Sequence, residues 1–221
     1  MNFQEQIAMA GNSGIGPLAW ITMILLGLGL AASSGLNTFM PLLMLAGAAK
    51  FHLFGIETSG AFAWLGTSAA LGVLTLATIV EIVADKIPLV DHGLDAFGTI
   101  ARPLAGALAA ASVFSGADAT TAAVLGLIVG APVALGVHAA KAGTRAASSA
   151  TTFGFANPVL SVLEDVAAFL LTLTALVVPL LVPLLLIVFG FLFWKLFQKT
   201  RRHLSTDRLV KNGGTSTPTG G

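Results

Sequence analysis

The sequence predicts an all-α protein, a polytopic bundle of transmembrane helices with about six or seven spans. Hydrophobic residues make up 56% of its 221 residues and charged residues only 10%, whereas soluble domains average about 25% charged residues. The mean hydropathy is +0.91. The 25 glycines suit helices that pack backbone to backbone in lipid. A soluble chain of this size needs more charge on its surface, so the composition indicates a membrane protein.

The first 16 residues form a short polar N-terminus that does not resemble a secretory signal. They contain Glu5 and no Lys or Arg, whereas a signal peptide begins with a positively charged region. The first apolar run is therefore predicted to be a retained span. The chain has no cysteine, which excludes disulfides, thiolate metal sites and a cysteine nucleophile.

Seven apolar segments approach the roughly 20 residues that a spanning helix needs. They are residues 17–36, 39–56, 62–84, 99–115, 119–139, 158–178 and 182–199. The second is interrupted by Lys50 and His52, and a re-entrant segment is the alternative there. The fourth is short for a full crossing. The last two share one apolar run with Pro179 and Pro183 near its middle. Because proline removes a helical hydrogen bond, we expect a hairpin at this point, with one kinked helix as the alternative.

Basic residues set the predicted orientation, because Lys and Arg favour the cytoplasmic side of a membrane. Six of them crowd the end of the last span and the tail, which predicts a cytoplasmic C-terminus. With seven spans, ten of the eleven basic residues lie inside and only Lys50 lies outside. Residues 17–199 form the predicted membrane domain. Residues 200–221 are a basic and polar tail that we expect to be disordered.

Two acidic stripes lie on predicted spans. Glu81 and Asp85 are one helical turn apart at the end of span 62–84, and Glu164 and Asp165 lie on span 158–178. Lipid offers no hydrogen bonds, so such side chains must face protein or water. Carboxylates within spans usually mark an ion, proton or substrate path, and we predict that function for these four. The alternative is a set of ion pairs that hold the bundle together.

A basic stripe and two helix breaks complete the predicted site. Lys141 and Arg145 lie four residues apart, and we expect them to pair with the carboxylates or to meet an anionic substrate. His138 precedes them on the same face and is expected to be merely solvated. Asn37 and Asn157 each lie in a polar, helix-breaking stretch before a proline. Transporters use such broken helices at their binding sites, although an ordinary interfacial turn is equally compatible.

The stretch Glu81-Ile-Val-Ala-Asp85-Lys86-Ile-Pro88, followed by Asp91 and Arg102-Pro103, resembles a bacterial membrane family known as domain of unknown function 4126. The segments 32–37 and 157–165 carry the same resemblance, which covers roughly residues 20–180 and leaves out the tail. It implies a multi-spanning protein of the bacterial inner membrane and supplies no activity. By themselves, Lys86, Asp91 and Arg102 lie in or beside a loop and fit structural and functional roles equally.

Several kinds of chemistry lack their motifs. The sequence has no Walker loop, HExxH, GxSxG or dinucleotide fingerprint. We therefore predict no cofactor and no ATP-driven pumping by this chain alone. The acidic stripes offer oxygen ligands for a hard cation, but no spacing selects a metal. We expect the basic tail to contact lipid headgroups rather than nucleic acid.

Three functions are compatible with these features. The leading one is a small transporter or channel-like permease, which is not an enzyme, for a small ion or solute. The alternative is a membrane scaffold or assembly subunit whose charges form structural ion pairs. The last is a membrane enzyme acting on lipid headgroups, with paired carboxylates as acid and base, and no nucleophile or metal motif supports it. A homo-oligomer is compatible with each.

Overall fold

The computed structural model describes residues 17–58, 60–114, 117–152 and 154–192, together with 195 and 198. Within these ranges the chain is helical and contains no strand. The polar N-terminus 1–16 and the predicted disordered tail 200–221 lie outside the described residues. The described α-helices are α1 Pro17–Leu36, α2 Met40–Lys50, α3 Ser68–Ala84, α4 Pro88–Ser112, α5 Ala119–Leu125, α6 Ala131–Thr152, α7 Asn157–Val177 and α8 Pro179–Leu192.

Local sequence explains where most of these helices begin. Proline occupies a first-turn position in α2, α4 and α7, where its missing N–H removes no helical hydrogen bond. The Thr67 hydroxyl accepts the Ala70 N–H and so caps α3. Asp118 caps α5 by accepting the N–H groups of Thr120 and Thr121.

Glycines let α4 lie directly against the α5–α6 helix. A π-helical segment, Gly126–Gly130, joins α5 to α6. A Cβ atom added at Gly126 would collide with the carbonyl of Ala107, and one added at Gly130 would collide with the carbonyl of Gly106. The two helices therefore meet backbone to backbone, which only glycine permits at these positions.

α1 lies at the centre of the bundle and packs against α4, α6 and α7. Its second half, from Leu26 to Leu36, is mostly buried. α8 returns alongside α7, because Ala175 and Val182 both lie against Gly29 of α1. Leu171 and Phe189 also line one small cavity, although they would be about 27 Å apart in a straight helix. The chain thus reverses at the short 3-10 helix Pro179–Leu181, in the hairpin arrangement.

Three described helices are long and apolar enough to cross a membrane. They are Pro17–Leu36, Ala119–Ala150 and Asn157–Val177. A fourth is counted if Gly60–Gly66 and Ser68–Ala84, bent by 66°, form one broken span. In the predicted segment 39–56, the 11-residue α2 is followed by a short 3-10 helix, Leu53–Gly55. About 16 Å of α-helix cannot cross a ~30 Å hydrocarbon core by itself. A count of six or seven spans stays a prediction.

The outward faces of the bundle are apolar, and many charged side chains point inward. On α3, Val73 and Leu76 are 68% and 65% exposed, whereas Arg102, Lys141 and Arg145 are 1%, 0% and 3% exposed. Soluble proteins show the opposite distribution, since Lys and Arg are almost never fully buried in them without a partner. The interior must therefore supply partners for these cations.

Candidate functional site

The polar interior surrounds the break between α1 and α2, where Asn37 and Thr38 are 0% and 4% exposed. A helix end leaves backbone carbonyls or N–H groups without intrahelical partners. Asn37 meets one of them itself, because its Oδ1 accepts the Met40 N–H at 2.9 Å. Acidic and basic side chains from other helices form hydrogen bonds with several of the remaining backbone groups.

Glu81, on α3, caps the N-terminus of α2. Both of its carboxylate oxygens lie 2.9 Å from the Thr38 backbone nitrogen. The Thr38 hydroxyl donates to Oε1 at 2.8 Å, and the Phe39 N–H donates to Oε2 at 3.1 Å. The Arg102 Nη2 atom lies 3.7 Å from Oε1. Because a helix N-terminus attracts anions, Glu81 occupies the position that a bound anion would otherwise take.

Lys141, on α6, meets the opposite end of the break. Its ammonium group donates to the carbonyl of Leu36, the last residue of α1, at 2.9 Å. The same group lies 3.1 Å from Asp85 Oδ2 and 3.2 Å from Glu164 Oε2. The C-terminus of a helix carries partial negative charge and favours a cation. The broken helix thus presents its positive end to Glu81 and its negative end to Lys141.

Arg145 lies one turn beyond Lys141 and shares the same two carboxylates. Its Nη2 atom is 2.6 Å from Glu164 Oε2, and its Nε atom is 3.1 Å from the same oxygen. Nη2 also lies 3.5 Å from Asp85 Oδ2. Asp85, Glu164, Lys141 and Arg145 therefore form a cluster of two anions and two cations, each at most 5% exposed.

Asp165 links this interior to its edge. Its Oδ1 accepts the Asn37 side-chain amide at 3.1 Å, and its Oδ2 lies 3.1 Å from the Lys86 ammonium group. The side chains of Lys86 and Asp165 are 34% and 13% exposed. This pair is more exposed than the others, so the attraction between its two charges is more strongly screened.

His138 and Arg102 form a further buried pair between α6 and α4. Arg102 Nη1 lies 2.6 Å from His138 Nδ1. A guanidinium group has only donors, so Nδ1 is the acceptor and the ring carries its proton on Nε2. That nitrogen lies 3.3 Å from the Thr99 hydroxyl. The expectation that His138 is merely solvated is wrong, because the residue is 3% exposed.

The structure brings together seven of the eight predicted site residues, which are Asn37, Glu81, Asp85, Lys141, Arg145, Glu164 and Asp165. Asn157 lies apart from them. Its side-chain amide donates to the Ser149 hydroxyl at 3.0 Å, and it starts α7 seven residues before Glu164, about 10 Å along the helix. Arg102 belongs to the interior and was left undecided by the sequence. The sequence feature that could have identified it is a single basic residue within an alanine-rich apolar stretch.

The buried network is formally balanced. Four carboxylates, Glu81, Asp85, Glu164 and Asp165, face four cations, Lys86, Arg102, Lys141 and Arg145. Among the described residues, no group of three or more His, Asp or Glu side chains is placed to hold a metal ion. Lys141 and Arg145 each contact two carboxylates, Asp85 and Glu164.

No curated protein and no solved structure matches this chain. The family model described as Domain of unknown function (DUF4126) matches residues 24–199. That match includes every residue of the charged interior and covers most of the chain. The chain therefore belongs to the DUF4126 family of domains of unknown function.

Proposed function

We propose that this protein is a multi-spanning protein of the bacterial inner membrane, with a cytoplasmic C-terminus, that moves a small ion or solute through its charged interior. The apolar outer faces of α3 and α7 support the membrane placement, since side chains such as Val73, Leu76 and Val159 are more than 60% exposed. Apolar patches this extensive need a lipid or protein covering. The three long apolar helices support the same placement.

The broken helix is the observation that carries the transport proposal. Transporters place discontinuous helices at their binding sites, where half-helix ends meet ions and charged substrate groups. Here the ends of α1 and α2 face Lys141 and Glu81, which are themselves ionisable. An incoming ion can compete for either partner, because neither end is closed by backbone alone. Lys141 can then transfer between the Leu36 carbonyl, Asp85 and Glu164.

Flux through proteoliposomes tests the proposal. Purified protein is reconstituted, and proton, Na⁺, K⁺ and Cl⁻ fluxes are followed with ion-sensitive dyes beside empty liposomes. We expect flux above that of empty liposomes for at least one ion. We expect Glu164→Gln to reduce it by at least about tenfold, or ~1.4 kcal/mol in the barrier. Asp118→Asn, which changes a carboxylate outside the network, is the matched control and should keep wild-type flux.

Two results contradict transport of these ions. One is flux equal to that of empty liposomes for every ion tested. The other is wild-type flux in Glu164→Gln, because Glu164 contacts both central cations. In either case the thermal unfolding of the same samples is recorded, so that a misfolded variant is recognised.

A scaffold or assembly subunit is the second candidate, and the charge balance of the network favours it. Each of the four carboxylates of the network has a cation within 4 Å, as expected of ion pairs that only stabilise helix packing. This candidate predicts no flux and a large loss of thermal stability in Glu164→Gln, since removing one partner leaves the others uncompensated. Unchanged stability in that variant contradicts it.

A further inference from the structure

Asp85 Oδ1 differs from the other carboxylate oxygens of the buried network. Both oxygens of Glu81 accept backbone N–H groups, and both oxygens of Glu164 accept from Arg145. Those of Asp165 accept from Asn37 and Lys86. Asp85 Oδ1 is buried and has no hydrogen-bond partner among the described residues. A proton can therefore be added there without displacing a donor, whereas each of the other seven oxygens already accepts at least one hydrogen bond.

Two more buried polar atoms without partners lie on α7. Among the described residues, Ser161 Oγ and Asn157 Oδ1 have no hydrogen-bond partner, and the two residues are 0% and 4% exposed. Asn157, Ser161 and Glu164 follow one another at i, i+4 and i+7, which places them on one helical face. Along α6, Ser149 binds Asn157 and Arg145 binds Glu164. These polar side chains form a column about 10 Å long between the two helices.

The outer end of this column lies near the molecular surface. It adjoins the α6–α7 connection, where Phe155 is 86% exposed. Its inner end is Glu164, which shares Lys141 and Arg145 with Asp85. The column therefore leads from the surface toward the buried network.

Water fits the unpaired atoms of the column better than an ion does. A buried polar atom without a partner is unfavourable, and buried water commonly hydrogen-bonds to such atoms. Asp85 and Glu164 are balanced by Lys141 and Arg145, so the inner end attracts neither sign of charge. A hydroxyl, an amide oxygen and a carboxylate oxygen can each accept a hydrogen bond from water.

We propose that Asp85 Oδ1 is the proton-binding site of the network and that water held along Asn157 and Ser161 carries the proton to it. The water molecule next to Oδ1 gives it a proton, so that one O–H bond of the water breaks as the new O–H bond forms. Each water molecule regains a proton from the next one outward, and a hydronium ion at the surface supplies the last proton. Oδ2 keeps Lys141 and Arg145, and the formal charge of the network changes from zero to +1. The charged groups in contact with Asp85 are Lys141 and Arg145, and Glu164 shares both of them. The other charged groups of the network are Glu81, Lys86, Arg102 and Asp165.

The inference depends on the proposed function in one respect: it takes the proton as the ion that drives transport. Infrared spectroscopy tests the protonation without any flux. As the pH of purified protein is lowered, we expect the carbonyl band of a buried protonated carboxylic acid to appear. Asp85→Asn should remove this band, and Asp165→Asn, the matched aspartate with both oxygens occupied, should retain it. A band that persists in Asp85→Asn overturns the proposal.

A second variant keeps this test decisive if Asp85→Asn does not fold. Asp85→Glu retains an acid with one more methylene, so the band should stay and move in frequency. An unmoved band would place the proton on another residue.

The route is tested by the rate at which the band appears after a rapid drop in pH. Ser161→Ala should slow its appearance by about tenfold, or ~1.4 kcal/mol, and leave its final size unchanged. Ser112→Ala is the control, because Ser112 is equally buried and its hydroxyl donates to the Ala109 carbonyl at 2.9 Å. An unchanged rate in Ser161→Ala overturns the route.

The two proposals fail in different ways. An Asp85 band without ion flux leaves the proton site standing and removes the transport function. Ion flux without an Asp85 band leaves transport standing and removes the proton site.

Discussion

Glu81 and Glu164 are equally buried carboxylates, each 5% exposed, and they are held by different kinds of partner. Glu81 accepts from the backbone N–H groups of Thr38 and Phe39 at the start of α2. Glu164 is met by the side-chain cations Lys141 and Arg145. One carboxylate holds the backbone of a helix end, and the other holds two long cationic side chains.

This difference separates a fixed region of the interior from an adjustable one. Backbone N–H groups cannot leave Glu81 unless α2 itself moves, and they carry no charge that can be exchanged. Long cationic side chains have several rotatable bonds and can change partners locally. The region around Glu81 therefore positions the broken helix, whereas the carboxylates of Glu164 and Asp85 are held by side chains alone.

Glu81→Ala should have the largest effect on stability of the variants considered below. It leaves the N–H groups of Thr38 and Phe39 without this acceptor and removes the carboxylate facing Arg102. Removing one member of a buried charged pair costs about 3–5 kcal/mol. We expect a comparable loss in the free energy of unfolding, measured by chemical denaturation in detergent.

Glu81→Gln is the control for the charge alone. Its amide keeps one oxygen as an acceptor for the α2 N-terminus, so we expect a smaller loss than in Glu81→Ala. If both variants unfold at the wild-type denaturant concentration, Glu81 does not hold the helix break.

Lys141→Met should have an intermediate effect in the adjustable region. The substitution removes the ammonium group from Asp85 and Glu164, but Arg145 still faces both. We expect a loss of about 1.5–3 kcal/mol, the range for hydrogen bonds to charged groups. The same denaturation measurement checks it.

A double variant with Asp85→Asn sharpens this prediction. Neutralising Asp85 restores equal numbers of anions and cations, so the second substitution should cost less in the Lys141→Met background than in the wild type. Strictly additive losses would show that Asp85 and Lys141 are not coupled in the folded protein.

The sequence predicted the apolar helices well because their signal is local. Uninterrupted apolar runs gave α1 and α7 to within one residue of their observed ends. α4 begins at Pro88 rather than at residue 99, because Asp91 and Asp95 lower the hydropathy of its first turns without breaking the helix. Hydropathy measures suitability for lipid, and helix continuation depends on backbone hydrogen bonds.

The partners within the site could not be predicted in the same way. Helical spacing places Glu81 and Asp85 on one face of α3, but the structure directs them to different neighbours. Glu81 reaches the start of α2, and Asp85 reaches α6. Pairing across 43 and 56 positions of sequence depends on how whole helices pack. Asn157 was grouped with the charged residues because it lies in a helix-breaking stretch before a proline. The sequence does not show how far such a break lies from the centre of the bundle.

Asp118→Asn should have the smallest effect on stability. It tests whether Glu81 stabilises the protein because it is buried or because it lies at a helix N-terminus. Asp118 also occupies a helix N-terminus, where Oδ1 accepts the N–H groups of Thr120 and Thr121 at 3.0 and 3.1 Å. Unlike Glu81, it is exposed. The hydrogen bond from the Thr121 hydroxyl, followed by those from the backbone, lowers the pKa of Asp118 below its ordinary value.

The sign of the pH effect follows from this lowered pKa. The ionised carboxylate contributes stability above the unfolded-state pKa, and the contribution is lost as the pH falls through the lower pKa of the folded state. Asparagine caps helices at every pH, so the stability of Asp118→Asn should fall less than that of the wild type under acid. Unfolding temperatures measured from neutral pH into the aspartate titration range check this. Parallel curves would mean that the cap contributes no pH-dependent stability, and that burial, rather than position at a helix N-terminus, determines what a carboxylate does in this protein.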